Sequence, residues 1–166
     1  MSTFKILLIT AALSFVPISE LRGGIPFAMA NNIPWYWAFL FSSAINALIA
    51  PACWIFLATV HKLFYGTTPE KGMRWYKKLF DKIVERARKK LSRGVEKWGW
   101  IGLIIFTAIP LPLTGAWTAT LGAWILGFTK RRTMLAVVLG IFIAGAIVTM
   151  VMQLGIEALN FFIKKV

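Results

Sequence analysis

Two short stretches of this chain carry residue types that could do chemistry, and both interrupt an otherwise oily sequence. Residues 19–26 read Ser-Glu-Leu-Arg-Gly-Gly-Ile-Pro, which sets the Glu20 carboxylate two positions from the Arg22 guanidinium, beside Gly23 and Gly24 and ahead of Pro26. Residues 110–117 hold Pro110, Pro112, Thr114, Gly115 and Trp117 and no charge. At membrane depth a charge costs roughly 2.5–3.5 kcal/mol on insertion scales, so it is kept for a partner, a cavity or a function. Prolines and glycines expose backbone groups that lipid cannot satisfy, and such backbone persists only inside protein or beside a wet cavity. Arg22 offers a bidentate, charge-assisted contact to a phosphate or carboxylate. Half-helices beginning near Pro26 and Ala116 would aim amides and positive dipole ends at the same anion. Glu20 would pair with Arg22 in the empty state, then exchange for substrate or take a proton. Gly23, Gly24 and Gly115 would permit close backbone approach and hinge motion. The blander reading makes Glu20 and Arg22 a structural ion pair, the prolines and glycines loop formers, and Trp117 packing.

The composition explains why these stretches stand out. The chain has 166 residues, 58% of them apolar, with eight Trp and thirteen Phe and a mean hydropathy of +0.72. Too few polar residues remain to build a water-facing surface, so the chain reads as an integral membrane protein. The net charge of +13 raises nucleic acid as a partner, but the placement of the basic residues argues against it. Twelve of the 19 Lys and Arg fall between Lys62 and Lys97, and three more are Lys130, Arg131 and Arg132. That clustering is expected of cytoplasmic loops, with anionic headgroups as the partner of the basic segment. Cys53 is the only cysteine and His61 the only histidine. No disulfide, metal site or cofactor is expected. Membrane depth holds no Asp pair, no His and no Ser/Lys or Cys/His constellation, so no catalytic residue is expected either.

The elements that must position the two stretches follow from run lengths. Lys5 precedes an apolar run with no small-x-small site after it, so the first segment is expected to be retained. The uncharged run over 6–19 is short of the roughly 20 residues needed to cross a bilayer. Residues 4–31 therefore read as a re-entrant hairpin, with Pro26 as the first residue of its second half-helix and Asn31-Asn32 as the exit to water. Residues 33–61 read as a full span opening on the aromatic belt Trp35, Tyr36 and Trp37. Ser42, Ser43 and Asn46 should share a face turned toward protein, and Pro51 a kink. Residues 62–97 read as a basic amphipathic helix lying on the membrane surface.

Residues 98–129 hold no charge. As one straight helix they would run about 48 Å, against a hydrocarbon core of roughly 30 Å. Folding back at 110–115 shortens the run and puts both basic clusters on one side. Residues 132–160 then form the last span and tail, with Ala136, Gly140 and Ala144 as a small-residue stripe. The expected fold is an all-α integral membrane protein: two inverted repeats, each a re-entrant helical hairpin plus a full transmembrane helix, joined by the basic amphipathic helix. Two spans and two hairpins close a cavity with difficulty. A homodimer is one solution, with the stripe as its contact, while the same stripe packing within a protomer is the other.

The two motifs together, Ile18 to Pro26 and Pro110 to Thr118, resemble the small multidrug export family of prokaryotic membrane proteins, a branch of the DedA and VTT-domain superfamily. The likeness extends over essentially the whole chain. It implies two re-entrant loops facing each other in the membrane and transport or scrambling of lipid, with polyprenyl phosphates as the carriers linked to DedA relatives. DedA proteins typically carry an arginine in the second loop. This chain has Thr114 and Gly115 there, so only Arg22 is left as a cation at membrane depth. Two functions follow as expectations: a small transporter or scramblase of polyprenyl-phosphate-type lipids or small amphipathic molecules, with proton or ion coupling and a midplane site formed by the two facing loops, or a non-transporting membrane-organising protein that binds anionic lipid or partners through its basic helix.

Overall fold

Apolar runs bounded by prolines, asparagines and glycines become seven helices among the described residues. The computed structural model describes residues 2–65, 99–110 and 114–163, with side chains over 2–59, 99–110 and 114–157. The basic linker 62–97 falls almost wholly outside the described residues, as do Pro112 and the final lysines. The helices are α1 (Thr3–Phe15), α2 (Glu20–Ala30), α3 (Trp35–Ala47), α4 (Ile49–Tyr65), α5 (Gly99–Ala108), α6 (Ala116–Ile125) and α7 (Lys130–Ile163). No strand occurs among them.

At 1.5 Å per residue, the 13-residue α1 and 11-residue α2 are about 20 and 17 Å long, each too short to cross a bilayer. They pack against each other as a hairpin. The turn between them lies at residues 16–19, ahead of Glu20, and α2 runs straight through Gly23, Gly24 and Pro26. Pro26 is therefore inside a helix and does not open one, which corrects the sequence expectation. The physical reason is that Glu20 N bonds Val16 O at 3.0 Å and Gly23 N bonds Ser19 O at 3.2 Å, so helical bonding is established before the glycine pair is reached. Gly24 serves packing instead: a Cβ there would overlap Ser14 Oγ of α1 and lie 3.0 Å from Ser42 Oγ of α3. Gly24→Ala is expected to destabilise the protein by about 1–3 kcal/mol, read by thermal unfolding in detergent, with part of the loss restored by adding Ser14→Ala.

The short helices α2 and α6 both hand over to a long helix in the same way. After α2, Asn32 is left-handed (φ 63), with Ile33 N bonded to Ala28 O at 3.0 Å and Asn32 N to Met29 O at 3.1 Å. After α6, Gly127 is left-handed (φ 78), with Phe128 N bonded to Ala123 O at 2.9 Å and Gly127 N to Trp124 O at 3.1 Å. Each is a Schellman motif closing on an apolar residue. The next long helix starts three residues after the left-handed position in both cases, at Trp35 and at Lys130.

Two helical stretches are long and apolar enough to cross a membrane: Trp35–Thr59, 25 residues with mean hydropathy 1.8, and Lys130–Glu157, 28 residues with mean hydropathy 2.7. The first is the pair α3 and α4, broken only at Leu48. Pro51 causes the break, because it offers no N–H to Ala47 and its ring crowds that turn. The polar face expected on α3 is buried, with Ser42, Ser43 and Asn46 all inaccessible. The stripe on α7 is also used within the protomer: Ala136, Gly140 and Ala144 are buried, and a Cβ on Gly140 would collide with Thr107 and the Ile104 carbonyl of α5. Around a core built on Leu21, Ile25, Ile49, Leu103, Val137 and Ile141, large apolar side chains such as Leu139, Ile143, Met150 and Leu154 point outward along α7. An outward apolar face of that extent suits lipid and not water.

Candidate functional site

Helix α6 begins at Ala116, after the non-helical Thr114 and Gly115, and its first amides have no intrahelical partners. Gly115 occupies the N-cap position and has no side chain with which to cap them. The Thr118 hydroxyl takes up the N-cap's own amide, accepting from Gly115 N at 3.1 Å. The carboxylate that caps the helix comes from elsewhere: Glu20 accepts from the backbone N–H groups of Ala116 and Trp117. A carboxylate at a helix N-terminus is favoured by both hydrogen bonding and the dipole. The contact requires glycine at position 115, since a Cβ there would overlap the Glu20 carboxylate.

Glu20 reaches this place at a backbone cost. Its φ of 50 is left-handed, a region non-glycine residues enter at about 1–3 kcal/mol and mainly where surrounding structure dictates it. The side chain is 6% exposed, with Arg22 near enough for direct electrostatic attraction and the Asn46 side chain alongside. Arg22 Nη2 donates to Thr114 Oγ1 at 3.3 Å, and that hydroxyl donates to Ile109 O at 2.7 Å. Trp117 Nε1 donates to Phe15 O at 2.9 Å, taking up one of the last carbonyls of α1, while its ring meets Phe15 edge-on with centroids 5.6 Å apart. Ser19 Oγ donates to Leu13 O at the same helix end. The end of α1 and the start of α2 are thus bound to the first turn of α6 and the residues before it by four polar contacts, two from Glu20, one from Arg22 and one between Trp117 and Phe15. Trp117→Phe, which keeps the ring and removes the indole donor, is expected to cost about 1 kcal/mol of stability in a thermal unfolding measurement.

Two clefts meet at Arg22. One, of about 270 Å³, is lined by Pro17, Ile18, Glu20, Arg22, Thr114, Trp117 and Thr118. The other, of about 230 Å³, is lined by Arg22, Pro110, Ile147, Val148, Val151 and Met152. Of the residues singled out in the sequence, Glu20, Arg22, Asn46, Thr114, Gly115 and Trp117 gather at one spot, and Pro110 lies across Arg22. Gly23 and Gly24 pack α2 on its neighbours and line neither cleft, Pro26 sits further along α2, and Pro112 is outside the described residues. Thr118 and Ile18, which end the two motifs, and Ser14 and Pro17 were not singled out as site residues. Thr118 had a readable signal as the third residue after a glycine that starts a helix, and Ser14 as the partner of Thr10 one turn away on α1. Ile18, a large apolar residue 94% exposed at the cleft, had none.

Compared with known proteins, residues 20–147, about three quarters of the chain, match the model of the family described as "Putative small multi-drug export protein". No curated protein and no solved structure matches the chain.

Proposed function

The chain belongs to the small multi-drug export family, and from that premise we propose that this membrane protein is a small transporter or scramblase for lipids with an anionic headgroup, polyprenyl phosphates among them. The observation that carries the reading is the position of Arg22 where two clefts meet, one lined also by Glu20, Thr114 and Thr118 and the other otherwise by proline, aliphatic side chains and methionine. A lipid phosphate has the same anatomy. Its head would contact Arg22 and the Thr114 and Thr118 hydroxyls, and its chain would follow Ile147, Val148 and Val151 along α7. Glu20 holds the α6 N-terminus in the empty state and gives up those amides to the incoming phosphate, for which they are well suited.

In the proposed topology, α1 with α2 and α5 with α6 are re-entrant hairpins entering from opposite faces, and α3 with α4 and α7 cross fully. The matched Schellman exits and equal spacing to the following long helix support two inverted repeats, whose interrupted helices meet at a midplane site. The basic segments 62–97 and 130–132 would then be cytoplasmic. A homodimer would have to use another surface than the Ala136 to Ala144 stripe.

The alternative reading, a membrane organiser acting through its basic linker, is separated from transport by lipid-phosphate flux in proteoliposomes. Glu20→Gln is expected to lower flux at least about tenfold, in keeping with the loss of charged contacts at a desolvated site. Neutralising Lys77, Lys78, Lys82, Arg86, Arg88, Lys89 and Lys90 together is expected to leave flux within about twofold, since surface charges contribute little individually. The reverse pattern would establish the organiser.

A further inference from the structure

A set of buried oxygen atoms beside Glu20 and Gly24 has hydrogen-bonding capacity that the packing described above does not use. Between α1, α2 and α3, the hydroxyls of Ser14 and Ser42 and the amide oxygen of Asn46 are fully inaccessible and have no hydrogen-bond partner among the described residues. They converge. A Cβ on Gly24 would meet both hydroxyls at once, Asn46 lies one turn beyond Ser42 on α3, and Glu20 lies one turn before Gly24 on α2. The Asn46 side chain adjoins the Glu20 carboxylate. A buried polar atom left unpaired costs about 1–3 kcal/mol, and native interiors keep such atoms for a reason.

We propose that Ser14 Oγ, Ser42 Oγ and Asn46 Oδ1, with the Glu20 carboxylate supplying the charge, form a binding site for one monovalent cation of sodium's kind. The donors are all hard oxygens, which suit alkali ions, and include no nitrogen or sulfur of the kind that selects transition metals. No group of three or more His, Cys, Asp or Glu side chains occurs among the described residues. One carboxylate balances one positive charge. Gly24 acquires a second reason to be glycine, since a Cβ there would displace the Ser14 hydroxyl and crowd that of Ser42.

The site deepens the transport reading and rests on it for its use. Glu20 and Arg22 sum to zero. A singly ionised phosphate headgroup alone would leave a net negative charge in a desolvated place and a cation alone a net positive one, whereas the two together restore neutrality. Each therefore raises the affinity of the other, and by the same factor. The exchange also links them geometrically, because a headgroup that takes the Ala116 and Trp117 amides releases the Glu20 carboxylate toward Asn46.

The test is thermal unfolding of the purified full chain in detergent, in sodium chloride and in choline chloride at equal ionic strength. Saturating sodium is expected to raise the midpoint by about 3 °C or more. The double variant Ser14→Ala/Ser42→Ala is expected to lose that shift while unfolding in choline within about 2 °C of the parent, since removing unpaired buried hydroxyls is nearly neutral. Asn46→Leu serves as a second variant with the same expected loss of the sodium shift. Equal midpoints in both salts, as a water-filled space would give, or a sodium shift undiminished in the variants, would overturn the site. Lipid-phosphate flux measured beside it keeps the two readings apart. Flux without any sodium effect on the midpoint removes the cation site alone, and a sodium shift in a protein that moves no lipid keeps the site and removes the transport reading.

Discussion

Arg22→Ala should bring movement of a lipid phosphate through reconstituted protein to background, a loss of about 100-fold or more, and Arg22→Lys should lose roughly tenfold. The guanidinium is the only cation that reaches the cleft among the described residues, and its planar fork meets a phosphate with two parallel bonds where an ammonium offers a point charge. A charged hydrogen bond removed from a desolvated site commonly costs about 1.5–3 kcal/mol, about one to two decades. Loss of the positive charge also leaves Glu20 buried beside no opposite charge, which adds to the effect on folding. The variant should therefore unfold earlier as well as transport less. The double variant Glu20→Gln/Arg22→Ala separates the two consequences: the unfolding midpoint should recover toward that of the parent, and flux should stay at background.

The second large effect belongs to Gly115. Its φ of 170 is ordinary extended backbone, so the requirement for glycine there is spatial. A Cβ would occupy the volume of the Glu20 carboxylate and force it off the Ala116 and Trp117 amides. Gly115→Ala is expected to cost about 2–4 kcal/mol, combining the lost charged capping bonds with a left-handed Glu20 backbone that no longer has compensation. A double-mutant cycle gives the decisive number. In a Glu20→Ala background, where no carboxylate is left to displace, Gly115→Ala should cost less than about 1 kcal/mol, and the difference is the coupling between the two loops.

Much of this arrangement was legible in the residues. Run lengths separated the short apolar helices from the two stretches long and apolar enough to cross a membrane, because the thickness of hydrocarbon fixes how many apolar residues a crossing helix needs. That α5 ends at Ala108 and a separate helix begins at Ala116 was visible in Pro110 and Gly115, since lipid-exposed backbone cannot tolerate such breakers in a straight span. The meeting of Glu20 and Arg22 with Thr114 and Trp117 followed from the same argument. The start of α2 did not. Gly23 and Gly24 look like a break to local reasoning, but whether a glycine ends a helix or lets another helix approach depends on the neighbour, and Ser14 and Ser42 stand 10 and 18 residues away from Gly24 in sequence. The capping of α6 by Glu20 was hidden for the same reason. An N-cap with no side chain shows that a carboxylate is wanted and not which distant residue provides it. Proximity of Glu20 to Arg22 in sequence pointed to a simple pair, whereas in space the carboxylate serves the facing helix too.

The account stands on the cleft that Glu20, Arg22, Thr114 and Trp117 line together being the one through which the headgroup passes. Ile18 and Thr118 both line that cleft. In a Cys53→Ala background, the pair Ile18→Cys/Thr118→Cys can be bridged across it by a short, reducible bifunctional thiol reagent and lipid-phosphate flux followed before and after. Bridging should stop flux and reduction should restore it, with either single cysteine unaffected by the reagent. Flux that continues unchanged through fully bridged protein would contradict the account.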